Sequence, residues 1–80
     1  MPKYFFHLID SVDVLLDPEG NEMPSEAVVG AALLQARDCM AADVKSGRLD
    51  LHYRIDVHDE AGELVHTLPF EDAVEVVPPR

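Results

Sequence analysis

Three of the chain's four histidines, His52, His58 and His66, fall in the stretch HYRIDVHDEAGELVHTLPF at residues 52–70, and the fourth, His7, stands near the start. Imidazole ligates transition metals and titrates near neutrality, so histidines gathered around Asp56 raise two kinds of chemistry: a Zn²⁺-type ligand set and a pH response. Register decides whether they meet. If the DEAG turn is a three-residue loop with Gly62 in a bulge, Asp59 pairs with Glu63, His58 lies opposite Leu64 and Asp56 opposite His66. A two-residue loop sets Ile55 opposite His66 instead. In the first register His58, His66 and Asp56 are the candidate metal ligands. Against a metal stands the ordinary reason for polar residues on an outward strand face, which is hydration. No HxH, HExxH or CxxC spacing accompanies them, and the expectation is no metal and no cofactor.

The elements that must position these residues follow from periodicity. KYFFHLID at 3–10 alternates Tyr4, Phe6 and Leu8 with Phe5, His7 and Ile9, a largely buried strand. VDVLLD at 12–17 alternates Val12, Val14 and Leu16 with Asp13, Leu15 and Asp17 and predicts a second, antiparallel strand ending at the DPEG turn. Ser25 then suits an N-cap, with Glu26 at the positive end of the helix dipole, and helical spacing runs to about Ser46 with Gly47 as the C′ residue. Val29, Leu33, Ala36, Met40 and Val44 form the expected core stripe, flanked by Ala32 and Cys39. Beyond GRLDL, Tyr53, Ile55 and Val57 alternate with His52, Arg54, Asp56 and His58, so one side is core and the other is wet. After the DEAG turn, ELVHTLPF returns as the last strand. EDAVEVVPPR, residues 71–80, continues either as an edge strand through Val74 and Val76 or as a tail. The order β-β-α-β-β predicts an α+β fold: an antiparallel four-stranded sheet with one helix packed on one face, in a single domain spanning 1–80.

PKYFFHLID, the LDPEG turn, the single helix ending in SGR, and DEAGELV with LPFEDA together resemble an uncharacterised family of small bacterial proteins known as a domain of unknown function. The resemblance implies this fold, a one-domain boundary and cytoplasmic residence. It implies no activity, cofactor or catalytic residue.

Composition narrows the classes further. Sixteen Asp and Glu against six Lys and Arg give a net charge of −10, which repels phosphate backbones and anionic headgroups. Direct nucleic-acid and membrane binding are therefore not expected, whereas a basic protein partner or mimicry of a nucleic acid is compatible with the charge. One cysteine, Cys39, excludes an internal disulfide and points to a reducing cytoplasm. The start lacks the h-region of a signal peptide, and no stretch approaches the roughly 18 apolar residues of a membrane span.

Catalytic templates fail for named missing parts. Ser11, Ser25 and Ser46 have no GxSxG elbow, no glycine-rich phosphate loop exists, and DPEGNE has Glu22 where a calcium loop needs glycine and Val28 where it needs glutamate. No enzyme is expected. The leading expectation is an acidic interaction or accessory module, with a protein partner or a second copy as a homodimer. Its face comprises Phe5, His7, Ile9, His52, Arg54, Asp56, His58, Leu64, His66 and Leu68. The alternatives are metal or small-ligand binding through the histidine-bearing face, and the nucleic-acid mimic.

Overall fold

Aromatic and branched residues at alternate positions hold Lys3–Ile9 as strand β1, with Tyr4 and Phe6 buried on one side. In the computed structural model, which describes all residues 1–80, the rest follow as β2 (Val14–Leu15), β3 (Asn21–Glu22), α1 (Val28–Ser46), β4 (Arg54–Asp59), β5 (Leu64–Pro69) and a helical turn α2 (Phe70–Ala73). The sheet is antiparallel in the order β2-β1-β4-β5, with β3 pairing the opposite half of β1 from β2. One helix covers one face, so the α+β architecture with β-β-α-β-β at its centre is the observed one.

The second strand is shorter than its alternation predicts. Only Val14 and Leu15 pair with β1, and Val12 and Leu16 are exposed. The chain leaves the sheet after Leu15 and returns at Asn21, and between these points Asp17 takes the place of a paired residue. Its carboxylate accepts the Phe6 amide at 3.2 Å, and its own amide donates to His7 Nδ1 at 3.0 Å. Gly20 closes this loop at φ 69°, where an added Cβ would stand 2.9 Å from the Tyr4 carbonyl oxygen and the Phe5 ring.

The helix starts later than expected. Ser25–Ala27 form a 3-10 turn behind Pro24, and the Ser25 hydroxyl turns to Glu26 instead of capping. The C-terminus ends as the glycine predicts, with Gly47 N–H returning to the Asp43 and Val44 carbonyls. The buried row is Val28, Ala32, Ala36 and Met40, whereas Val29 and Val44 of the expected stripe are 51% and 62% exposed. The two rows share Ala36 and Met40. They part at the ends because the small alanines let the backbone lie flush on the sheet, so the contact follows i, i+4 spacing from Val28.

Ile55, Val57 and Leu68 complete the sheet side of the core, and Phe70 and Ala73 close its end. The Phe70 amide donates to the Tyr53 carbonyl at 2.9 Å and Arg37 Nε donates to the Ala73 carbonyl at 2.9 Å, which fixes α2 against the body. Residues 71–80 are thus neither of the two expected forms at first: a helical turn runs to Ala73, and an irregular tail follows.

Candidate interaction face

Strand parity sets the face opposite the helix. Tyr4, Phe6, Ile55 and Val57 point to α1, which turns Phe5, His7, Ile9, Arg54, Asp56 and His58 outward. Pairing arranges them in cross-strand rows: Val14, Ile9, Arg54 and Pro69; then His7, Asp56 and Thr67; then Phe5, His58 and Leu64; and at the end Glu22 and Lys3.

The last strand departs from its expected register. Asp59 and Glu63 do pair, with the Asp59 amide donating to the Glu63 carbonyl at 3.0 Å, and Gly62 takes φ 82° in the turn. His58 does stand opposite Leu64. Val65 is then an extra residue in a bulge, so Val57 faces His66 and Asp56 faces Thr67. His66 and Leu68 consequently lie on the helix side, Leu68 buried in the core and His66 lining a cavity of about 260 Å³ with Tyr4, Val28 and Val65. Neither the pairing of Asp56 with His66 nor an outward position for His66 and Leu68 holds. His52 also leaves the face, because β4 begins at Arg54; its amide and ring both engage the Asp50 carboxylate, at 2.9 and 3.0 Å. That amide is the main reason the Asp50 carboxyl lies below its ordinary pKa.

Asp56 is the one buried charged residue, 8% exposed, although its strand position reads as wet. Arg54 Nε donates to both its oxygens, at 3.1 and 3.3 Å, and the Thr67 hydroxyl donates to Oδ1. The carboxylate is thus paired and hydrogen-bonded, the condition under which burial of charge is tolerated.

Beside it His7 and His58 touch, with ring centroids 5.1 Å apart. His7 Nδ1 is occupied by the Asp17 amide, which places the proton of its neutral ring on Nε2; His58 Nδ1 is buried without a protein partner. With His66 turned to the other side, no three His, Cys, Asp or Glu side chains are placed to share a metal ion. The Asp17 carboxyl beside His7 is pulled up by burial, but the amides of Gly20, Phe6 and Glu19 outweigh this and hold it below the ordinary carboxylate range.

Val14, Thr67, Pro69, Lys3 and Glu22 also belong to the face and were not among the residues expected there. Thr67 and Pro69 needed the Val65 bulge, and Glu22 needed a β3 too short to show periodicity. Cys39 lies partly buried on α1, where burial, then Asp43 and Asp38, push its thiol pKa up and leave it a poor nucleophile.

The fold and face define a small two-layer α+β domain with one sheet face uncovered. The sequence pattern of a family described as a domain of unknown function (DUF6894) matches residues 3–71, and the chain belongs to that family. No curated protein and no solved structure matches it. No helix is long and apolar enough to cross a membrane.

Proposed function

We propose that this domain is a non-catalytic interaction module that docks a protein on the outer face of its sheet. One observation carries the reading: a layer of half-buried and exposed apolar side chains, Phe5, Ile9, Val14, Leu64 and Pro69, surrounds a satisfied polar network, with no second layer over it. The sheet edges are poor alternatives. β5 is bulged at Val65 and ends in Pro69, and the far edge of β1 is plugged by Asp17, devices that discourage strand addition.

A cytoplasmic setting suits the lone, unactivated thiol.

Affinity capture with three baits tests the reading: the wild type, Leu64→Glu on the outer face, and Leu34→Glu on the exposed side of α1. A partner retained by the wild type and Leu34→Glu but lost by Leu64→Glu is expected. Identical recoveries on all three would refute the assignment.

A further inference from the structure

We infer that the occupant of the outer sheet face is a second copy of this chain, the two sheets stacking face to face into an α-β-β-α sandwich. The inference rests on the interaction reading and is carried by the distribution of charge. The chain bears −10 overall, yet the strand residues of the outer face hold two cations, Lys3 and Arg54, against two carboxylates, Glu22 and Asp56. All of the net negative charge therefore sits elsewhere, on the helix, the turns, the inner side and the tail. Asp17 and Glu60 reach only the rim, each hydrogen-bonded to a β1 amide. A basic partner would be drawn to those other surfaces, whereas the balanced outer face lets two copies of an acidic molecule meet without opposing net like charge.

Shape and size agree. The molecule measures 46 × 26 × 18 Å and buries only 12 of its 80 residues, so it is a thin slab whose sheet is covered on one side. Domains this small commonly gain stability by association. Stacked sheets pack about 10 Å apart, which keeps the two helices, with their acidic outer sides, at opposite extremes of the dimer. Three full strands at about 4.8 Å spacing and six residues at about 3.4 Å give a face of roughly 300 Å², so two faces bury roughly 600 Å² before the two-residue β2 and β3 and side-chain relief are counted. That lies at the weak end of specific interfaces and predicts a concentration-dependent dimer. An isologous contact uses the same patch on both copies, and the apolar side chains of Val14, Ile9 and Pro69 on one side of the Asp56 row and of Phe5 and Leu64 on the other supply it.

The test is sedimentation equilibrium from micromolar to about millimolar chain in 0.01 M and 1 M sodium chloride, between which the Debye length falls from about 30 to about 3 Å. A dimer is expected, tighter by roughly tenfold at the higher salt because screening removes repulsion between the acidic bodies. Leu64→Glu and, on the opposite side of the same face, Val14→Glu should each weaken it by roughly tenfold or more, with Leu34→Glu within about twofold of wild type. Both replaced residues are more than half exposed, so each variant should fold, which circular dichroism checks. A strict monomer at both salts overturns the inference, as does a dimer indifferent to Leu64→Glu and Val14→Glu, or one that loosens with salt. If the chain is monomeric but Leu64→Glu still abolishes capture of another protein, the face keeps its role and only the second copy is lost. If capture is also unaffected, both readings fall.

Discussion

Asp17 substitutes for a missing strand residue with one carboxylate, and its removal leaves the part-buried Phe6 amide without a partner at the sheet edge. Asp17→Ala should lower stability at neutral pH by about 1–2 kcal/mol, the cost of losing hydrogen bonds to a charged acceptor, measured by urea denaturation. Because the folded-state pKa of Asp17 lies below its unfolded value, this contribution is complete above about pH 4 and is lost as pH falls through the lower folded value. The gap between wild type and Asp17→Ala should therefore narrow at about pH 3; an unchanged gap would mean that the carboxylate acts only by packing. The Arg54–Asp56 pair gives a second residue-scale expectation. Arg54→Met strands a buried carboxylate on Thr67 alone and should cost about 1–3 kcal/mol, while adding Asp56→Leu should restore most of the loss. Additive losses in that double-mutant cycle would show that the two groups do not interact.

At the scale of elements, β5 shows where periodicity stops being informative. Parity assigned β4 correctly, because Ile55 and Val57 bury as read, whereas β1 reads as buried on both sides and only its pairing turns Tyr4 and Phe6 inward. Gly62 likewise announced its turn. The Val65 bulge had no such signal: valine is an ordinary strand residue, and one inserted position reversed the sides of His66, Thr67 and Leu68. The helix showed the milder form of this difficulty, since the wheel centres the stripe on Val29 and Val44 and leaves Ala32 at its flank and Val28 off it, although both are buried. Of the histidine constellation His7, Asp56 and His58 were legible; His66, which depended on β5, and His52, which lies before the start of β4, were not. The bulge has a measurable consequence. It turns His66 inward with Nε2 buried and without a protein partner. His66→Leu should stabilise the fold by about 1 kcal/mol in urea denaturation. A loss of stability would show that the imidazole holds contacts beyond those of an orphaned nitrogen.

For the whole molecule the question is where the folding unit stops. The family pattern ends at residue 71, but the packing does not: Ala73 is 1% exposed and its carbonyl receives Arg37, completing the turn that the equally buried Phe70 opens with its amide bonded to Tyr53. Past Val74 the chain is exposed and lacks regular structure, with Val76 and Val77 at 66% and 73%. A chain ended after Val74 should therefore melt cooperatively within a few degrees of the full-length protein, since it gives up little buried surface. One ended after Pro69 gives up the Phe70 ring, whose truncation in a core costs about 3–5 kcal/mol, together with Ala73 and the Arg37 bond. Against a total of about 4–12 kcal/mol, from about 0.05–0.15 kcal/mol per residue, that loss is a large share of what an 80-residue chain holds. Thermal unfolding followed by circular dichroism should show the first truncation melting with the wild type and the second melting far below it. A chain ending at Pro69 that melts with the wild type would show that the sheet and α1 suffice, and that α2 is an appendage rather than the end wall of the core.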